Sequence, residues 1–222
     1  MRLIPGRFSS GFFLSTLLMI ACAALFGVSL TGEAAKGDEA WQSLFDGKSL
    51  GQWKSTEFGG EGRVSVANGQ INLEAGAVLT GITWTGAQFP KTDYEISLEA
   101  KKVDGTDFFC GLTFPVGQSH CSLILGGWGG GIVGLSSLDG RDASENETTQ
   151  VMDFPANRWY RVRVRVTRTK IEAWLDETNI VDVTTTGKRI SIRSEVEESR
   201  PLGIAAYMTG AAYRDIKYRR IE

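Results

Sequence analysis

The chain has a single histidine, His120, among its 222 residues. A zinc site built on several histidines is thereby excluded. A Ser–His–Asp triad would have to run through His120, and no elbow between a strand and a helix supports one. A lone general-base role or a plain turn position beside Cys121 both remain. Proline is sparse, with five residues, and no low-complexity tract appears, so the composition is globular and not disordered. The formal charge of −2 provides no basic field, which excludes a nucleic-acid partner. A long helical period is missing from everything after the first 35 residues, and so are internal repeats and any linker that would mark a second domain.

The first segment differs from the rest. Arg2 and Arg7 form a short positive region, an almost uncharged apolar stretch runs from Phe12 to Leu30, and the small residues Gly32, Ala34 and Ala35 precede polar Lys36-Gly37-Asp38-Glu39. These are the three regions of a secretory signal, with cleavage expected near Ala35, so residues 1–35 read as a signal peptide and 36–222 as one domain. The apolar stretch is also just long enough to act as an uncleaved anchor. Cys22 brings a lipoprotein to mind, but the apolar run continues past it to Leu30 where a lipidated cysteine should end it. Either way the protein is expected to be exported, to a periplasmic or extracellular location. Removing Arg2, Arg7 and Glu33 leaves the mature chain one unit more negative.

The mature chain reads as strands. In Trp159 to Val166, Tyr160, Val162, Val164 and Val166 fall on one face and Arg161, Arg163 and Arg165 on the other, the period of a strand with one buried side. The arginine face must meet solvent, a groove or acidic partners. Ile171–Leu175 and Ile180–Val183 form a hairpin around a polar turn. Tyr94–Ala100, Gly69–Ala75, Phe108–Phe114, Cys121–Leu125, Ile132–Leu135, Pro201–Met208 and Tyr213–Ile221 complete the set. Short strands at this spacing make an all-β sandwich or barrel. Cys110 and Cys121 admit two readings. A hairpin centred near Val116 would place them opposite each other, close enough for a disulfide; the alternative is two buried free thiols.

Three segments carry candidate chemistry. Gly126-Gly-Trp-Gly-Gly-Gly131 suits close backbone approach or a bulge. The G-x-G-x-x-G spacing of Gly129 to Gly134 has no following helix and means nothing as a dinucleotide motif. Trp128 is either an exposed sugar-stacking ring or a core tryptophan. The polar loop Asp139-Gly-Arg-Asp-Ala-Ser-Glu-Asn-Glu147 holds four carboxylates. Such loops on rigid sheets host general acids and bases, or oxygen ligands for Ca2+, or are simply solvated turns. Asn146-Glu-Thr148 also matches a short glycosylation acceptor.

Ser43-Leu-Phe-Asp-Gly-Lys-Ser-Leu-Gly-Gln-Trp53 resembles the opening signature of the 3-keto-disaccharide hydrolase domain family. The resemblance continues at Asp93-Tyr-Glu-Ile96, Asn157-Arg-Trp-Tyr-Arg161, Pro201-Leu-Gly-Ile204 and Tyr213-Arg-Asp-Ile216, and so covers nearly the whole mature chain. It implies a concanavalin A-like jelly-roll β-sandwich, an exported bacterial setting and a hydrolase acting on an oxidised glycoside. Where many members carry an Asn-Ser-Gly-Ile-like strand, this chain has Phe109-Cys-Gly-Leu112, and Tyr207-Met208 stand where Gln and His are usual. A non-catalytic carbohydrate-binding module and an envelope interaction domain are the alternatives. On the hydrolase reading Asp139, Asp142 and Glu145 are the catalytic candidates, with His120 a further one. Trp128, Arg141, Asn146 and Tyr207 are the candidate substrate contacts. The partner is a carbohydrate, with Ca2+ the one cofactor to consider.

Overall fold

The computed structural model describes residues 38–222; the signal or anchor segment and Cys22 lie outside them. Strands are numbered in chain order. The first sheet runs β13 (Thr178–Thr184), β12 (Lys170–Leu175), β11 (Trp159–Val166), β6 (Tyr94–Lys102), β15 (Ala211–Arg220), β4 (Gln70–Leu73) and β3 (Val64–Ala67), with β1 (Gln42–Ser43) paired to β15. The second runs β10 (Gln150–Val151), β9 (Ile132–Ser136), β8 (Ser119–Gly126), β7 (Cys110–Val116), β14 (Gly203–Tyr207), β5 (Leu79–Trp84) and β2 (Trp53–Ser55). All the pairings are antiparallel, and the two sheets form a concanavalin A-like jelly-roll sandwich. A short 3₁₀ segment, Ser194–Ser199, leads into β14.

Alternation decides which side chains enter the core. Val162, Val164 and Val166 of β11, Ile96 and Leu98 of β6, and Leu112, Phe114, Leu123, Leu125, Val133 and Leu135 of the second sheet are all buried between the layers. Two tyrosines join the sheets through hydrogen bonds. The Tyr94 hydroxyl donates to the Pro115 carbonyl at 2.5 Å and the Tyr213 hydroxyl to the Phe109 carbonyl at 2.7 Å, so neither buried O–H lacks a partner. Burial pushes both phenols well above their ordinary pKa. The β3–β4 hairpin closes on Asn68-Gly69, both at positive φ, as a tight two-residue turn between twisted strands requires.

The arginine face of β11 meets its own sheet. Arg163 and Arg165 reach Glu95 on β6, and the Arg163 guanidinium lies 3.8 Å from the Trp174 ring centre. The cysteine hairpin differs from the expected register. It turns at Gly117-Gln118, so Cys110 faces Leu125 and Cys121 faces Phe114. Both thiols are free, buried, and pushed up to about 12 by desolvation. The turn centre lies two positions further along than a Cys110–Cys121 pair needs, which is enough to separate them, because a disulfide needs directly opposed Cβ atoms. Strands β1, β2, β3, β5 and β10 and the 3₁₀ segment were not anticipated; β5 contains Gly81 and carries no clear alternation.

Candidate functional site

The outer face of the second sheet is built from small side chains. Residues alternating with the core set are Gly111 and Thr113 on β7, Ser122 and Ile124 on β8, Gly134 and Ser136 on β9, Gly81 and Thr83 on β5, and Ala205 and Tyr207 on β14. Thr113 and Ser122 share a hydrogen bond of 2.8 Å across the strands. Large rings can lie flat where the floor is glycine: a Cβ at Gly111 would stand 2.9 Å from the Phe108 ring, and one at Gly81 would stand 3.0 Å from the Phe58 ring. Phe108 stacks on Tyr207 with ring centres 5.8 Å apart.

A hollow of about 310 Å³ opens over this floor. Phe108, Tyr207 and Ile124 form its base, Val78 and Val196 its sides, and Ser122 and Ser136 its polar floor. At the rim stands Trp128, 44% exposed, in the glycine-rich turn Gly126–Gly131. Its backbone is left-handed, φ 49° and ψ 56°, between Gly126 and Gly129 at φ 80° and 88°. A bulky residue held in that region costs of order 1–3 kcal/mol and persists only where its surroundings impose it. Asp107 is part of those surroundings, since its Oδ2 accepts from the Gly129 N–H at 3.0 Å.

The lining also carries charge. Arg193 bridges two carboxylates, donating to Glu195 at 2.7 Å and to Asp142 in a closer contact. Asp142 also accepts from the hydroxyls of Ser136 at 3.3 Å and Ser137 at 3.1 Å. The Arg193 guanidinium beside Glu195 holds that carboxyl below its ordinary value. The hollow is therefore lined both by aromatic rings and by a guanidinium fixed by two carboxylates.

A model of the 3-keto-alpha-glucoside-1,2-lyase-like domain matches residues 40–219. The chain belongs to this family. Several solved structures share its fold. The exoplasmic/lumenal domain of VIP36, in a Ca2+/Man3GlcNAc-bound form, has TM-score 0.56 at 13% identity, over 83% of this chain and 91% of that one. Domain 4 of AbnA, a GH43 extracellular arabinanase from Geobacillus stearothermophilus in complex with arabinotriose, has TM-score 0.53 at 13% identity, over 84% and 94%. A protein of Parabacteroides distasonis, provisionally described as a glycosyl hydrolase, has TM-score 0.51 at 16% identity, over 82% and 95%. At these identities the likeness is one of fold. No curated protein matches the chain in sequence.

Within this lyase-like domain the anticipated residues separate. Trp128 and Tyr207 line the hollow, and Asp142 reaches it through Arg193. Asp139 does not; its Oδ1 accepts from the Arg189 N–H at 2.7 Å and clips a turn. Arg141 and Glu145 are exposed outside the lining. Asn146 is occupied within its loop: its amide nitrogen donates to the carbonyls of Leu135 and Asp142, each at 2.7 Å, and its oxygen accepts from Thr148. These bonds make Asn146 a brace of its own loop. His120 shares the outer face of β8 but lines a second hollow of about 360 Å³ with Trp84, Phe89, Pro115 and Pro201. Desolvation, with Arg200, lowers its pKa. Of the four loop carboxylates Asp139 and Glu147 share Lys188 while Asp142 meets Arg193, and among the described residues no three His, Cys, Asp or Glu side chains group so as to hold a metal ion.

Sequence reasoning missed Asp107, Phe108, Arg193 and Glu195. Arg193-Ser-Glu195 lies in a charged segment with no period, and only folding over the sheet brings it to the hollow. Asp107-Phe108 carried a weak signal, a turn acid just before a strand.

Proposed function

We propose that this lyase-like domain binds a sugar in the hollow over the second sheet and breaks the glycosidic bond of a 3-keto-glucoside there. Family membership makes the chain a carbohydrate-related domain. The observation that carries the reading is Trp128, exposed on a left-handed backbone and lining the same hollow as the Arg193–Glu195 pair. An indole face accepts the apolar C–H face of a pyranose, and a guanidinium offers five fixed donors to sugar oxygens. The volume lies at the lower end of small-molecule pockets, ~300–1,000 Å³, as a short glycoside requires.

The chemistry follows from the ketone. A C3 carbonyl acidifies the C2 hydrogen. Glu195, held anionic by Arg193, is the proposed base for it, and Arg193 is the proposed donor to the developing enolate oxygen. The electron pair forms the C1–C2 double bond as the C1–O bond breaks, and the departing oxygen takes its proton from water. Hydrolysis is the same scission followed by addition of water. Asp142 orients Arg193 from behind. A second reading, binding without turnover, draws on one observation: Glu195 is shifted toward the anion, the wrong direction for the general acid that an unoxidised glycosidic bond needs.

The test is incubation of the purified protein with a 3-keto-glucosyl disaccharide and with its unoxidised parent, following release of the second sugar. The ketosugar is expected to be cleaved and the parent left intact. Trp128→Ala is expected to lower kcat/KM about tenfold, the equivalent of about 1.4 kcal/mol of stacking. Binding that Trp128→Ala abolishes, without turnover, would establish the second reading. Neither binding nor turnover would remove both.

A further inference from the structure

Three rings line the hollow; the segments that carry two of them, Phe108 and Trp128, are bonded to one carboxylate, and the third, Tyr207, joins through the Phe108 main chain. Asp107 Oδ1 accepts from the Phe108 N–H at 2.8 Å, fixing the residue whose ring forms the floor. Its Oδ2 accepts from the Gly129 N–H at 3.0 Å, on the residue after Trp128. Its main chain pairs twice with the fully buried Thr209: the Asp107 N–H donates to Thr209 Oγ1 at 3.1 Å, and Thr209 Oγ1 donates to the Asp107 carbonyl at 3.1 Å. Two residues before Thr209, the Tyr207 N–H donates to the Phe108 carbonyl at 3.0 Å.

The turn that carries Trp128 needs such an anchor. Gly126, Trp128, Gly129 and Gly130 all have positive φ, and three of the four are glycines that any unfolded or alternative loop would leave free. No long helix and no side-chain cap holds the segment. The bond from the Gly129 N–H to Asp107 is a charge-assisted one, of the stronger kind.

We infer that Asp107 is a positioning residue: by locking the glycine turn it sets Trp128 at the rim in advance of ligand, and so governs sugar affinity through Trp128. The effect on sugar rests on the function proposed above; the placement of Trp128 does not. Pre-organisation of this kind raises affinity by removing an ordering cost from the binding step.

The full chain labelled with 5-fluorotryptophan separates the two. Six tryptophans give six ¹⁹F resonances, and Trp128→Phe identifies one of them. In Asp107→Ala, which removes the acceptor of the Gly129 N–H altogether, the Trp128 resonance is expected to move toward free fluorotryptophan and sharpen while the other five stay in place. Affinity for the 3-keto-disaccharide is expected to fall about tenfold, and Asp107→Ala to cost less affinity on a Trp128→Ala background than in the wild type. A Trp128 resonance unmoved in a folded Asp107→Ala chain overturns the inference. A moved resonance in a protein that binds no sugar upholds it and removes the proposed function instead. Should Asp107→Ala not fold, Gly129→Ala applies the same test from the other partner, because a Cβ at φ 88° strains the turn with Asp107 intact.

Discussion

Glu95 has no exposed side-chain surface, yet three arginines converge on it: Arg219 at 2.6 Å, Arg163 at 3.0 Å and Arg165 at 3.4 Å. Removing one partner of a buried ion pair costs about 3–5 kcal/mol because the remaining charges lose their compensation. The arginines here keep partial access to water, so Glu95→Gln is expected near the low end, about 3 kcal/mol in urea unfolding. Arg161→Ala breaks a pair with Glu177 whose side chains are 60% and 90% exposed, and is expected to cost under about 0.5 kcal/mol. Equal losses for the two would mean that burial does not set the strength of these pairs. His120 gives a pH signature at the same scale. Desolvation, then Arg200, with Lys91 in the same sense and Glu197 opposing, lowers its folded pKa below the ordinary histidine value of about 6.5. The unfolded chain then binds the proton more readily, so the His120 contribution is complete above about pH 6.5 and is lost as pH falls through the folded pKa. The stability difference between wild type and His120→Gln is expected to narrow or reverse from pH 7.5 to pH 5. A difference independent of pH would contradict the shift.

At the scale of elements, the strands most readable from sequence were those with one wet face. Trp159–Val166 has the observed bounds of β11, and Tyr94–Ala100 lies within β6, because apolar and polar residues alternate there. In the second sheet most of the outward positions are Gly, Ser, Thr or Ala, so alternation fades, β5 was missed and the cysteine hairpin slipped in register. The property that hid these strands, a floor of small residues, is the one that makes room for a ligand. The candidate site was legible in part for the same reason. Trp128 and Tyr207 announced themselves as aromatics, whereas Arg193 and Glu195 belong to a segment whose place depends on long-range packing over that floor. Two glycines of the floor are expected to behave differently. At Gly111 a methyl group meets the edge of the Phe108 ring at 2.9 Å and the Ala205 carbonyl oxygen at an ordinary 3.4 Å, so Gly111→Ala is expected to keep stability within about 1 kcal/mol while tilting Phe108 and weakening sugar binding. At Gly81 the nearest atom is the Ile204 carbonyl oxygen at 2.8 Å, part of the β14–β5 ladder, so Gly81→Ala is expected to destabilise by more, about 2 kcal/mol. Calorimetric Tm and sugar titration on the two variants check both; a Gly111→Ala chain that binds as wild type would show that Phe108 is not part of the sugar floor.

For the molecule as a whole, the sign of charge around the hollow selects among sugars. Asp107 and Glu195 line it and Asp142 stands behind Arg193, three carboxylates to one guanidinium, on a chain of net charge −2. A carboxylate on the ligand would approach this field with no unpaired cation to receive it, since Arg193 already serves Asp142 and Glu195. One uncompensated charge at about 6 Å in a medium of effective dielectric about 40 costs about 1.4 kcal/mol, a factor of ten. A neutral keto-disaccharide is therefore expected to bind at least about tenfold more tightly than the matching uronate at low salt. Raising salt from 0.05 to 0.5 M is expected to narrow that gap, as screening within about 4–14 Å takes hold, while leaving the neutral ligand's affinity nearly unchanged. Titration of both ligands at both salts decides it. A uronate that binds as tightly as the neutral sugar at low salt would mean that Arg193 is released from its carboxylates on binding, and that the ion pair at the rim is a gate for anionic sugars instead of a barrier to them.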